Sequence, residues 1–276
     1  MIVVVGGTGR VGRQVTAQLT ERRLSVRVVS RGFHPAAPGA EAVRADLADP
    51  AALEPHLKGA DALFLLWPFT SPEMTADLAP RVAQIGARHV GRIVYLSAQA
   101  AADQPSSFWA LVEQAIEGCG VPWTFLRPTG FAANTLMWAD QIRSGGVVRW
   151  PFGTAARALI DERDIAAVAV RALTEEGHAS ARYLLTGPAL MTQAEQLAKI
   201  GRVIGRALTW EELPKDAAIA VLAQAWGDPA FAETAVSAWE WFVDHPETVT
   251  SAVQDLTGTP AHSFADWAAA NAAAFR

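Results

Sequence analysis

Two rhythms of apolar residues alternate along the first half of the chain. Met1 to Val5 is a short run rich in β-branched residues, and Val11, Val15 and Leu19 follow it at helical spacing, so a strand, a turn and a helix are predicted in that order. Further strands are expected at Ser25 to Val29, Glu41 to Ala45, Asp61 to Leu66, Arg92 to Ser97 and Trp123 to Leu126, with helices over Pro72 to Val90 and Ser106 to Glu117. The Asp61 to Leu66 stretch is apolar almost throughout, as strands covered on both faces are. Alternation of such strands and helices predicts an α/β fold, a doubly wound parallel sheet of Rossmann type.

After Pro128 the pattern changes. Short strands, notably Arg182 to Leu185, mix with long Ala-rich helices and frequent Pro and Gly. The expected organisation is a dinucleotide-binding domain over residues 1–130, to whose sheet residues 160–185 return, and a smaller C-terminal substrate-side region over 131–159 and 186–276.

The turn after the first strand carries chemistry. Gly7-x-Gly9-x-x-Gly12 stands where a dinucleotide fingerprint must, directly behind a strand and opening a helix. The three glycines answer three steric demands: a tight turn, close backbone approach to a pyrophosphate, and close packing of helix on strand. Gly6, Gly7, Thr8, Gly9, Arg10, Val11 and Gly12 are therefore expected to hold a cofactor's phosphates on helix N-terminal amides. At the end of the second strand an acidic residue would bond the ribose hydroxyls of NAD, but the residues there are Ser30-Arg31-Gly32. A guanidinium suits a 2'-phosphate through charge-assisted bonds, so NADP(H) is the expected cofactor, with Ser30 and Arg31 reading it.

Composition removes several alternatives. With 276 residues, 51% hydrophobic and 18% charged, the chain can bury a core. Its net charge of −5 without a basic run predicts no nucleic-acid partner. No stretch reaches the roughly 18 apolar residues of a membrane helix, and Met1 leads into a strand rather than a signal core, so no membrane association and a cytoplasmic location are expected. Cys119 has no second cysteine to pair with, and the six histidines show no i,i+4 pair, so no metal site is expected.

Several segments carry a resemblance. Gly6 to Gly12, Asp46-Leu47, Leu96-Ser97-Ala98, Trp123 to Phe131 with Asn134, Asp164-Ile165-Ala166 and Tyr183 to Pro188 resemble landmarks of the short-chain dehydrogenases/reductases, in their atypical NmrA-like branch with quinone and isoflavone-type reductases. The resemblance implies a nicotinamide at the carboxyl edge of the sheet beside Ser97 and the Pro128-Thr129-Gly130-Phe131 turn. It also implies an adenine flanked by Asp46 and Leu47, and a chain passing under the cofactor at Trp67 and Pro68. Arg127, Asp164 and Thr186 are implied to be structural.

One departure bears on mechanism. Typical members of that superfamily use Tyr-x-x-x-Lys, a phenol made acidic by a nearby ammonium, to protonate the reduced oxygen. Here the only tyrosines, Tyr95 and Tyr183, are followed four residues on by Gln99 and Gly187, and in the helix that would bear the pair the two places hold Trp109 and Glu113. The candidate donors left are Ser97, Gln99 and Asn134, while Glu113 reads as a helix-seam residue. Ten tryptophans, seven of them beyond Pro128, suit either core packing or a flat aromatic substrate, with Trp67, Phe131 and Trp138 the first to look for near the nicotinamide. Arg outnumbers Lys 20 to 3, as in GC-rich bacterial proteins. The expected function is an NADPH-dependent reductase delivering hydride to a carbonyl of a planar small molecule, such as an aromatic polyketide ketone in antibiotic biosynthesis. The alternatives are a non-catalytic NADP(H) sensor and a quinone or enone reductase.

Overall fold

In the computed structural model, which describes residues 1–32 and 37–276, the chain forms two compact units. Of the histidines counted above, His34 lies outside the described residues.

The first unit comprises Met1–Pro128, Glu162–Leu185 and Ala252–Thr259. Among the described residues its sheet has seven strands, β1 (Ile2–Val5), β2 (Val26–Ser30), β3 (Ala40–Arg44), β4 (Ala62–Leu66), β5 (Ile93–Leu96), β6 (Trp123–Pro128) and β7 (Ala181–Leu185). All pairings are parallel and the spatial order is β3-β2-β1-β4-β5-β6-β7. The order reverses between β1 and β4, and a crevice outside the carboxyl ends of the strands opens at such a switch point.

Helices α1 (Arg10–Glu21), α2 (Pro72–Ala87), α3 (Phe108–Glu117) and α4 (Glu162–Thr174) cover this sheet. Alternate strand residues face opposite sides. Val3, Val5, Leu63, Leu65, Ile93, Tyr95 and Phe125 share one core with Val82 of α2 and Val112 and Ile116 of α3. Val4, Val28, Phe64 and Val94 are buried on the other side, where α1 and α4 pack together. Coverage on both faces is why the central strands read as unbroken apolar runs. Edge strand β3 is mostly exposed and its sequence is correspondingly weak. The helix expected to reach Val90 ends at Ala87, because the N–H groups of His89 and Val90 both turn back to the Gly86 carbonyl (2.9 and 3.0 Å) and aim the chain into β5.

The second unit comprises Thr129–Asp161, Thr186–Ser251 and Pro260–Arg276. Two small ladders hold it: Val147–Trp150 runs parallel to Thr209–Glu212, and Ala156–Arg157 antiparallel to Met191–Thr192. Helices α5 (Gln193–Ile204), α6 (Lys215–Trp226), α7 (Pro229–Asp244) and α8 (Phe264–Ala270) pack with them. Thr192 starts α5 with a reciprocal capping box to Glu195, and Ser263 starts α8 with the same device to Asp266. The core contains Trp138, Trp150, Trp239 and Trp267 with Ile142, Ile200 and Leu222. Most of the tryptophan load beyond Pro128 is thus interior packing. Among the described residues, no helix is long and apolar enough to cross a membrane.

Candidate active site

The β1–α1 turn is shaped by what its glycines lack. A Cβ on Gly12 would stand 2.2 Å from the Gly6 carbonyl oxygen and 2.7 Å from the Gly7 Cα, both backbone atoms that cannot move aside. Gly6 adopts φ +78°, open to glycine at little cost, and its N–H bonds the Val29 carbonyl (3.1 Å). Helix α1 starts with the bond from Arg13 N–H to the Gly9 carbonyl (2.9 Å), so the amides of Arg10, Val11 and Gly12 have no intrahelical acceptor. No side chain caps this end and its first turn holds no acid. Uncapped amides on a floor too tight for a Cβ fit a dinucleotide pyrophosphate.

β1 and β2 are neighbours, Val5 opposite Val29, which sets the end of β2 beside this turn. Ser30 donates its hydroxyl to the Gly32 carbonyl (2.7 Å), tightening the bend around Arg31. Arg10 and Arg31 are exposed and, among the described residues, neither makes an ion pair or hydrogen bond. Asp46 is exposed, with a carboxylate oxygen accepting from Ala48 N–H (3.0 Å), whereas Leu47 is buried in the sheet core. Trp67, at the end of β4, is also buried, its indole N–H bonded to the Thr75 hydroxyl (3.0 Å) and its ring edge-on to Phe69; Pro68 beside it is exposed. The Trp67 side chain therefore fills the core.

A charged brace occupies the ends of β5 and β6. Ser97, just beyond β5, donates its hydroxyl to Glu113 Oε1 (2.5 Å). Arg127 in β6 grips the same carboxylate with both edges of its fork, Nε to Oε1 (2.9 Å) and Nη2 to Oε2. Ser97 and Glu113 are each 4% exposed, so the pair is desolvated and its groups satisfy one another. The hydrogen bonds that Arg127 donates to Glu113 hold its guanidinium still more firmly protonated than usual. Tyr95 is fully buried, its phenol finds no partner, and burial, then the Glu113 charge, push its ionisation well above the usual tyrosine range. Such a phenol is a poor acid. Glu113, at the place where the resemblance implies a lysine, is thus an acid, and the only other tyrosine, Tyr183 on β7, bonds His178 Nδ1 (2.9 Å).

Gln99 follows the brace. Its backbone N–H donates to the Pro128 carbonyl (3.0 Å), joining the ends of β5 and β6, and its half-buried side-chain amide makes no hydrogen bond among the described residues. Ser97, Gln99 and Pro128 are thus brought together at one sheet edge.

The remaining expected residues belong to the second unit. Thr129 donates its hydroxyl to the Ala158 carbonyl (2.6 Å) and is buried. Phe131 is half-buried and its backbone bridges Ile160. Asn134 is exposed, with its N–H on the Phe131 carbonyl (3.0 Å). Trp138, expected near the nicotinamide, has its side chain within this unit's own core.

Two groupings escaped the sequence reading. The Ser97–Glu113–Arg127 brace was legible only as a Glu on an apolar seam, which demands a buried cation. The second joins Arg157 to Glu247, 90 residues apart, Nη2 to Oε1 at 2.6 Å with the Glu247 side chain wholly buried. Its signal was an arginine inside the apolar run Ala155 to Ile160.

Known proteins resemble this chain over its length. A family model described as NAD(P)H-binding matches residues 6–176. A (4-alkanoyl-5-oxo-2,5-dihydrofuran-3-yl)methyl phosphate reductase of Streptomyces griseus is 40% identical, with 100% of this chain and 99% of that protein aligned. An NAD(P)H azoreductase of Xenophilus azovorans is 33% identical over 100% of this chain and 99% of its own. Among solved structures, the NADPH-dependent quinone oxidoreductase of Escherichia coli in complex with NADPH superposes with a TM-score of 0.81 at 23% identity, covering 98% of this chain and 99% of that one.

Proposed function

Since this chain belongs to the NAD(P)H-binding family and resembles the NmrA-like, quinone-reductase-like branch of the short-chain dehydrogenases/reductases, we propose that it is an NADPH-dependent reductase of conjugated, electron-poor acceptors. The observation that carries this reading is the Ser97–Glu113–Arg127 brace: Glu113 holds the place where the resemblance implies an ammonium, Trp109 holds that of the phenol, and the Ser97 hydroxyl is committed to the carboxylate. Bound NADPH supplies a hydride, two electrons with one proton. Hydride delivered to an isolated ketone leaves an alkoxide, which needs a donor aimed at it. Hydride delivered to an enone or a quinone leaves an enolate or a phenolate, whose charge spreads over the acceptor; a phenol ionises near pH ~10. Water can protonate such an anion after transfer, so positioning suffices.

The chain's residues then have these roles. Amides of Arg10, Val11 and Gly12 hold the pyrophosphate, and Arg10 and Arg31 select the 2'-phosphate. Ser97, its hydroxyl committed to Glu113, is a positioning residue for the strand ends rather than an acid. Gln99, its side-chain amide unengaged among the described residues, donates to the acceptor oxygen. The named acceptors of the relatives support the class: a quinone, an azo compound and an oxo- and alkanoyl-substituted dihydrofuran all carry charge-spreading conjugation. A phosphorylated dihydrofuranone is the first acceptor to try, and an aromatic polyketide of an antibiotic pathway fits where the reduced carbonyl is conjugated.

The test is anaerobic NADPH oxidation with three acceptors: a naphthoquinone, a dihydrofuranone and a saturated ketone. Turnover of the conjugated pair with none of the ketone is expected. Preference for the saturated ketone would restore the ketoreductase reading, and cofactor binding with no turnover of any acceptor would make the protein a sensor.

A further inference from the structure

The second unit contains a cavity of about 70 Å³, well above the roughly 10–15 Å³ that one water requires. Arg157 and Lys199 line it, with Gln196 and the apolar Leu159, Met191 and Phe264. The arginine is held as few are. Glu247, its side chain wholly buried, accepts from Arg157 Nε (3.1 Å), Arg157 Nη2 (2.6 Å) and the Ala158 N–H (2.9 Å), and the guanidinium lies 4.4 Å from the Phe242 ring centre. The third nitrogen, Nη1, makes no hydrogen bond among the described residues. It rests against Gly130, where a Cβ would come within 2.6 Å of it.

Desolvating an ion pair this thoroughly is costly, and replacement by apolar residues often stabilises a protein. What the pair achieves is to fix a guanidinium with one donor edge left over. Lys199 is half-buried and likewise makes no hydrogen bond or ion pair among the described residues. The acids nearest in sequence to the lining are held in capping boxes, Glu195 by Thr192 and Asp266 by Ser263; Glu195, one turn before Lys199, feels the lysine's charge but makes no ion pair with it. Two cationic side chains, each with a nitrogen that makes no hydrogen bond among the described residues, therefore border a compact space whose other walls are largely apolar.

We infer that this cavity is a subsite for a phosphate monoester, bound by Arg157 Nη1 and Lys199 Nζ, with the ester carbon against Leu159, Met191 and Phe264. The monoester reaches it either as part of the reducible acceptor, in which case the inference rests on the reductase reading above, or as a separate small phosphate that occupies the site on its own account. A charge-assisted fork explains both the rigid arginine and the unpaired lysine.

Calorimetry with phenyl phosphate on NADP-saturated protein tests the subsite, since the cofactor's own phosphate sites are then filled. Phenyl phosphate should bind while phenol does not, and Lys199→Glu should weaken it by at least about tenfold. Arg157→Lys should weaken it similarly if that variant folds; Lys199 lies outside any bonded network, so its variant decides even when the arginine's does not. No heat with the wild-type protein, or equal binding by Lys199→Glu, overturns the proposal. A kinetic arm identifies the source. If a hydroxymethyl dihydrofuranone phosphate is preferred over its free alcohol, and Lys199→Glu abolishes that preference, the phosphate belongs to the acceptor. Phenyl phosphate binding without such a preference assigns the site to a separate phosphate. Should no acceptor oxidise NADPH, the reductase reading fails while the calorimetric arm still decides the cavity.

Discussion

The two ends of the cofactor sheet solve opposite problems with opposite materials. Around β1 and β2 the site is made by omission: glycines with no Cβ, a helix with no cap, arginines with no partner among the described residues. Around β5 and β6 it is made by saturation, with a buried carboxylate accepting from a serine and from both edges of a guanidinium. The first arrangement leaves donors for a ligand to satisfy. The brace leaves none of its own and fixes geometry, while Gln99 beside it keeps an amide unengaged among the described residues. On the function proposed above, binding and positioning are separated along the sheet, and a substrate that stabilises its own negative charge would be the counterpart of that separation.

The sharpest way to break the comparison is to unbalance the saturated end. Arg127→Leu strands the Glu113 carboxylate, and a loss of about 3–5 kcal/mol in denaturant unfolding is expected. The double change with Glu113→Leu should recover most of it, because a well-packed apolar pair avoids the desolvation cost. Continued instability of the double variant would mean the strand ends need the charges themselves. At the open end, Gly12→Ala should cost on the order of 3 kcal/mol and abolish measurable NADPH binding, since its Cβ meets backbone at 2.2 Å. Retained cofactor affinity would show that the turn is not the phosphate floor.

Smaller changes sharpen the contrast. Arg31→Ala should weaken NADPH by about tenfold and leave NADH unchanged, the size of one charge-assisted contact; equal losses for both would remove Arg31 from 2'-phosphate reading. Ser97→Ala should lower stability by about 1 kcal/mol and turnover only slightly, whereas a fall of several orders in kcat would make the serine a catalytic residue after all. Tyr95 carries the smallest effect. Its ionisation is raised by burial, so the folded protein holds this proton at pH values where the unfolded chain releases it, and stability falls as pH rises past the ordinary tyrosine range near ~10. Tyr95→Phe should reduce that alkaline loss and be neutral or stabilising at pH 7, since the phenol has no partner to lose.

The open end was legible in the sequence because its demands are local. Gly7, Gly9 and Gly12 each answer a clash within a few residues, and the apolar runs at Val3 to Val5 and Leu63 to Leu66 follow from a sheet covered on both sides. The saturated end was not, because partners 14 and 16 residues apart meet only when β5, β6 and α3 are assembled. Glu113 stood out as an acid on an apolar seam, yet nothing nearby in the chain said which cation would answer it. Trp67 and Trp138 teach the same lesson in reverse. The resemblance and their position along the chain suggested a place near a cofactor, and their side chains lie buried in the two cores.

The sheet-bearing unit is interrupted twice, recruiting Glu162–Leu185 and then Ala252–Thr259 after long excursions of the chain. During synthesis β7 is therefore unmade until the ribosome has passed Leu185, and the last helical piece until it has passed Thr257. At about 5–20 residues per second, the nascent sheet waits seconds with the flank of β6 unpaired. Translation speed through the intervening stretch, rather than the strength of any finished contact, then sets how long that open strand is offered to chaperones or to a neighbouring nascent chain.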